Sequence, residues 1–318
     1  MSSYRLRNWV EYNHALVARG SLTLWIDAAV LADWRAPRTG RRGHPVVYSD
    51  VAIHTVLTLQ EVYHQALRQT TGLVHSLFTL LRLTLPVPSA STLSRRRRPL
   101  AVRLPVQVPA APLHLVIDST GLKVYGAGEW RQRREGYTKR RTWLKVHLGV
   151  DAATSELRLA AVSPNAVDDG VALTQLLPLE AAALAQVTGD GAYDEWQCYA
   201  AVAARPEHPR AVFPPRARGR RQPRIRQHGN CRAAPLARDQ HLRRIRRVGR
   251  AQWKREVGYH RRSLAETAVF RLKTLFGDRV SARTADGEAT QVFLRCAALN
   301  RLAQLGMPRS YPRPPPHA

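Results

Sequence analysis

The apolar positions of the chain change period near residue 105. Before that point they recur at helical spacing. Ser49-Asp50 offers an N-cap to a segment carrying Val51, Ile53, Val56, Leu57 and Leu59. Leu67 to Leu83 keeps the helical spacing, with Gly72 expected to turn the chain between two short helices. Ser89 to Arg98 predicts a capped short helix loaded with Arg95, Arg96, Arg97 and Arg98. Residues 1–104 therefore read as a mostly helical domain. Two helices, a tight turn and a basic third helix form the layout of helix-turn-helix DNA readers. A small helical bundle with a solvated charged end fits the same pattern. The Arg run favours phosphate contact. Pro99, Pro105, Pro109 and Pro112 then mark a linker.

Beyond the linker the pattern is that of strands. Leu113 to Ile117 is apolar and β-branched and is expected to end at Asp118-Ser119-Thr120-Gly121. Thr142 to Val150 alternates, Asp151 to Ser155 reads as a turn, and Glu156 to Ser163 as a third strand antiparallel to the second. Asp168-Asp169-Gly170 opens a helix through Leu177, with either Asp as its N-cap. A short strand, Ala185 to Thr188, runs into Gly189-Asp190-Gly191-Ala192-Tyr193-Asp194. A helix from Glu195 to Ala204 and a strand at Ala211-Val212-Phe213 follow, and an amphipathic helix spans Val292 to Leu305. Three strands, helix, strand, helix, strand, helix is the order of a ribonuclease-H-like α/β domain. It is expected over residues 105–306, with residues 307–318 a Pro-rich tail outside the fold.

One late stretch, Gly258 to Lys273, carries two patterns at once. At about 100° per residue, Tyr259, Arg262, Glu266 and Lys273 fall within a helical arc of roughly 60°. Leu264, Ala268, Leu272 and Leu275 form a separate apolar stripe that can dock the helix on a core. A carboxylate flanked by an aromatic ring and two cations suits a metal ion that meets phosphate.

Charge changes the picture most. Lys and Arg number 50 against 23 Asp and Glu, a net of +27 in 318 residues. Such a field favours a polyanion, and Arg forks onto phosphate. Residues 205–255 hold 17 Lys and Arg against 2 acids, and read as a long loop or inserted arm. No segment reads as a basic amphipathic membrane helix, no run is long enough to span a bilayer, and the start lacks a signal peptide's apolar core. Cys198, Cys231 and Cys296 are odd in number and far apart, which suggests reduced thiols and an intracellular setting. No Gly-rich phosphate loop is present, so no nucleotide cofactor is expected.

Three acids sit where a metal site can collect them: Asp118 and Asp190 at predicted strand ends and Glu266 on the late helix, 72 and 76 residues apart. Gathered, they suit two Mg²⁺ ions roughly 3.5–4 Å apart, a clamp for phosphoryl transfer. Each also has a plain structural role open to it. Asp118 can close an Asx turn, Asp190-Gly191 can be an ordinary turn with Asp194 a helix cap, and Arg262 with Glu266 can be an exposed i,i+4 pair.

Tyr259-x-x-Arg262-x-x-x-Glu266-x-x-x-x-x-x-Lys273 resembles the Tyr-Arg-Glu-Lys signature of bacterial insertion-sequence transposases of the DDE class. Asp118-Ser119-Thr120-Gly121-Leu122-Lys123-Val124-Tyr125-Gly126 resembles that family's first Asp block, and Gly189 to Asp194 its second. Gly20 to Trp25, Ser91 to Arg96 and Arg271 to Gly277 are similar to the branch typed by the fifth insertion sequence. The resemblance runs from about Arg7 to Met307. It implies a ribonuclease-H-like core and Mg²⁺-dependent cleavage and joining of double-stranded DNA, with Mn²⁺ as a possible substitute. It also implies recognition of terminal inverted repeats and a homodimer that brings two ends together in a cytoplasmic, nucleoid-associated setting. By motif, Asp118, Asp190 and Glu266 would be the catalytic metal ligands, and Tyr259, Arg262 and Lys273 would hold the DNA end. Two other functions stay open on the sequence: a nuclease of the same fold that joins nothing, and a DNA-binding repressor in which the acids are structural.

Overall fold

The computed structural model describes residues 4–38, 40, 45–124, 143–216 and 237–312. It divides into two compact units, residues 1–105 with 284–318 and residues 106–283.

The first unit opens with a short strand β1 (Tyr4–Leu6), helix α1 (Trp9–Ala18) and helix α2 (Ala28–Ala32). Asp27 caps α2 by accepting from the Val30 N–H at 2.8 Å. Helices α3 (Asp50–Val62), α4 (Leu67–Leu80) and α5 (Ala90–Arg97) follow. Ser49 and Ser89 cap α3 and α5, as their positions predict. Gly72 does not turn the chain. It lies inside one continuous α4, where a side chain would meet open space, so the helix carries only the propensity cost of about 1 kcal/mol.

The second unit begins with β2 (Leu113–Val124), the longest of its strands, followed by β3 (Trp143–Asp151) and β4 (Leu157–Pro164). Then come α6 (Asp169–Leu176), β5 (Leu184–Thr188), α7 (Trp196–Ala203) and β6 (Arg210–Val212). Helices α8 (Ala237–Val248), α9 (Arg250–Glu256) and α10 (Ser263–Phe276) and a short β7 (Arg279–Val280) complete it. The sheet order is β4-β3-β2-β5-β6, antiparallel through β4-β3-β2 and parallel through β2-β5-β6. This mixed sheet with helices suits a ribonuclease-H-like domain. Leu113, Leu115 and Ile117 of β2 point to one face, where they pack with Leu173 and Leu176 of α6, Cys198 and Val202 of α7, and Phe213. Burial pushes the Cys198 thiol up to about 12.

Two expectations change. Strand β2 does not end at Asp118. It pairs with β3 as far as Lys123↔Trp143, and Gly121 lets it do so, because a Cβ there would lie 3.1 Å from the Trp143 ring. The basic arm is not all loop. Residues 237–248 and 250–256 are helices, because Leu242 and Trp253 bury against the unit; residues 217–236 lie outside the described residues. Helix α11 (Ala285–Gln304) packs within the first unit. There Val292, Leu294, Cys296 and Leu299 are buried, and Arg295 reaches the buried Glu61 of α3 at 2.7 Å. Strand β8 (Ser310–Pro312) then pairs with β1, so part of the expected tail is ordered.

The Arg run of α5 also separates. Arg97 is buried and donates to Gln60, and Arg96 pairs with Asp50 at 2.5 Å and donates to the Tyr48 carbonyl. Of the four, Arg95 and Arg98 are exposed. The cause is periodicity: Leu93 and Arg97 are one turn apart and face the core together.

Candidate active site

The parallel pairing of β2 with β5 sets the position of the two Asp residues. Val116 is in register with Thr188. Asp118, inside β2, and Asp190, two residues past the end of β5, each follow that pair by two residues. Parallel strands lie about 4.8 Å apart, and β5 ends where the two carboxylates begin. Asp118 accepts from the Ser119 N–H at 2.9 Å, and Asp190 accepts from the Ala192 N–H at 2.8 Å, opening a tight turn over Gly191–Tyr193.

Glu266 lies on α10, which rests on the sheet. Its buried stripe is Ala265, Ala268, Leu272 and Phe276, not the expected Leu264-Ala268-Leu272-Leu275; Leu275 is exposed. Two alanines in the contact let the helix approach closely, and they turn the exposed Glu266 to the flank. The helix begins only at Ser263. Tyr259 and Arg262 belong to a preceding turn of 3₁₀ helix that starts at Gly258, whose φ of +65° suits glycine. Arg262 still reaches Glu266 and donates to its carboxylate. Lys273 is on the same face of α10 as Glu266, two turns or ~10 Å further along the axis.

The acids act on one another electrostatically. Burial raises the Asp118 pKa, and the charges of Asp190 and Glu266 add to the rise. The Ser119 N–H and the charge of Arg262 oppose it. The donor set is three hard carboxylates in a region of mutual repulsion, which a divalent cation would relieve. Among the described residues no three Asp, Glu, His or Cys side chains are gathered tightly enough to hold an ion as they stand. Glu266 is engaged with Arg262 instead.

Tyr259 sits between the acids and α9. Its ring is 5.9 Å from that of Trp253, and the Lys254 ammonium is 5.4 Å from its centroid. Burial raises the phenol pKa, so the ring keeps its proton. The segment before it is tied to the sheet: Gln186 of β5 donates to the Val257 carbonyl at 3.1 Å and to Thr188 at 2.9 Å, beside His114.

Two polar networks escape sequence reasoning. On the sheet face opposite Asp118, Asp169 in the first turn of α6 lies 3.3 Å from the Lys145 ammonium and 3.4 Å from His147 Nδ1. Ser119 also lies beside Asp169, and His147 Nε2 lies 2.8 Å from the Ser163 hydroxyl. The proximity of His147 is the main reason the Asp169 pKa falls to about 2. Asp168, not Asp169, caps the helix. The period-2 placement of Lys145 and His147 on one face of β3 is the only signal of this network in the chain. The second network is built on Asp194, which caps no helix. It is buried and receives both Arg238 nitrogens at 2.8 and 3.1 Å, the Tyr199 hydroxyl at 3.2 Å and the Arg216 N–H at 2.7 Å, anchoring the start of α8.

No helix among the described residues is long and apolar enough to cross a membrane. No solved structure matches the chain. Two family models do, both described as a Transposase DDE domain: one over residues 17–127, the other over residues 109–301. The second runs from β2 through α10 and so includes Asp118, Asp190 and Glu266. The chain belongs to the DDE transposases.

Proposed function

We propose that this transposase serves an insertion sequence of the branch with the Tyr-Arg-Glu-Lys signature, binding terminal inverted repeats and cutting and joining DNA. The single observation that supports the site is the parallel pairing of Val116 with Thr188, each two residues before an Asp, with the charges of Asp190 and Glu266 felt at Asp118. Family membership brings DNA as substrate and dependence on a divalent metal. Asp118, Asp190 and Glu266 are the proposed ligands. Two Mg²⁺ ions, or Mn²⁺ in their place, would polarise the scissile phosphate and offset the charge that develops on it.

The chain's own residues do the rest. Arg262 and Lys273 neutralise phosphate on the DNA end, and Tyr259 offers a half-buried ring on which a base or sugar can rest. Arg262 holds Glu266 in the free protein. A bound phosphate takes over that guanidinium and leaves Glu266 to face Asp118 and Asp190. Water attacks the phosphodiester at the element end and frees a 3′-hydroxyl. That hydroxyl attacks a target phosphodiester with no covalent protein–DNA intermediate. The first unit is assigned to inverted-repeat recognition, with Arg95 and Arg98 as the members of the Arg run able to meet phosphate. Two ends must be joined, so a homodimer is the working form.

The test is metal-dependent nicking and joining of a duplex that carries the inverted repeat. Glu266→Gln and Asp118→Asn should abolish both while leaving DNA binding. Intact nicking in either variant refutes the site. Nicking without joined product indicates a nuclease, and binding without any product indicates a repressor.

A further inference from the structure

We infer that α9 carries a second strip of DNA-backbone contacts, formed by Arg250 and Lys254, that continues the end-holding site from Tyr259. The inference rests on the DNA-transposase reading and adds a surface outside the four-residue signature.

Helix α9 sorts its charges by side. Counted at 100° per residue from the buried Trp253, Val257 lies at ~40°, Arg250 at ~60° and Lys254 at ~100°, while Glu256 lies at ~300°. Glu256 is consumed on its own side by Arg244 of α8, at 2.6 and 2.8 Å. Arg250 and Lys254 have no carboxylate partner among the described residues, and both are exposed. They are one turn apart, and like charges at i,i+4 cost a helix a few tenths of a kcal/mol. The Tyr259 ring faces Lys254, but no carboxylate among the described residues meets either cation. A polyanion laid along this side offsets that cost.

The strip is held at a fixed position relative to the active site. Trp253 is fully buried, and its indole N–H lies 3.1 Å from His241 Nδ1, while His241 Nε2 donates to the Ala211 carbonyl of β6 at 2.8 Å. Gly249, at φ +83°, makes the sharp turn from α8 after which α9 begins at Arg250. The Lys254 ammonium lies over the Tyr259 ring, and the charge of Arg250 acts on the Tyr259 phenol. Lys254 thus touches the ring that the charges of Arg250 and Arg262 also reach. Two fixed guanidinium and ammonium groups beside an aromatic ring suit consecutive phosphates of one strand.

The experiment is equilibrium binding of the full chain to a fluorescent duplex between 50 and 300 mM NaCl. Each phosphate contact contributes about 0.9 to the slope of log K against log salt. The double variant Arg250→Ala/Lys254→Ala should lower the slope by about 1.8. The charge-keeping Arg250→Lys/Lys254→Arg should retain it. The single variant Arg250→Gln leaves the Trp253 anchor untouched and should lower the slope by about 0.9. An unchanged slope in folded Arg250→Gln and in the double variant overturns the inference. So does a slope lost equally in the charge-keeping pair. Failure of the transposase reading shows up separately, as wild-type protein that binds this duplex but neither nicks nor joins it.

Discussion

The Asp169 network gives the most direct quantitative test of the fold around the site. Asp169 carries no proposed catalytic role, yet it holds Lys145 and His147 against Ser119, the neighbour of Asp118. Its pKa of about 2, against an ordinary 3.8, means that the folded state binds the proton less tightly than the unfolded state. The stabilisation is fully present above pH ~4 and is lost as pH falls toward 2. At pH 7 the shift corresponds to at most about 2.4 kcal/mol, and screening at a side chain that is 19% exposed reduces it to about 1–2 kcal/mol. Asp169→Asn removes it. The variant should melt ~2–8 °C below wild type at pH 7, at ~2–4 °C per kcal/mol for a unit of this size. At pH 3 about half of the wild-type advantage should already be gone. Calorimetric melts at pH 7, 5 and 3 measure both quantities. Equal melting temperatures at pH 7, or a gap that does not narrow at pH 3, would refute the assignment. Nicking should fall more than the melt alone explains, because Ser119 loses its partner one residue from Asp118.

Three further outcomes follow from packing. Arg295→Met leaves the buried Glu61 carboxylate without its cation and should cost about 3–5 kcal/mol in urea denaturation, with Glu61→Gln added to it recovering part of the loss. Trp253→Ala empties a fully buried site and should cost about 3–5 kcal/mol, whereas Trp253→Phe, which loses mainly the His241 contact, should cost about 1 kcal/mol; chemical denaturation followed by far-UV dichroism separates them. Ala268→Leu overfills the contact between α10 and the sheet. It should cost about 1–3 kcal/mol and lift Glu266 away from Asp118, so nicking should drop further than stability.

What could be read from the sequence was what local rules determine. Helix caps at Ser49 and Ser89, the turn between β3 and β4, and the short strand before Asp190 all follow from residues within a few positions of one another. Gly72 misled because glycine is equally at home in a turn and in a solvent-exposed stretch of helix, and only the packing of α4 decides. The Arg run misled for the opposite reason: four identical residues hide a helical period that sends Arg97 inward and Arg95 and Arg98 outward. Tyr259 and Arg262 looked helical because a 3₁₀ turn and an α-helix keep similar faces over four residues.

The relation between Asp118 and Asp190 is different in kind, because no local rule contains it. A separation of 72 residues has no geometric meaning until β2 and β5 pair in parallel with Val116 against Thr188. Once they do, a shift of one residue in either strand would turn one carboxylate to the opposite face of the sheet. The apolar sets that fix the register, Leu113, Leu115 and Ile117 on β2 with Leu184 and Val187 on β5, are therefore as much a condition of the site as the acids are. The same logic explains why Ser119 and Asp118 serve different networks: neighbours on a strand face opposite sides, so one strand carries the acid on one face and its support on the other. The core selects the register, and the register sets which residues of β2 stand beside the end of β5.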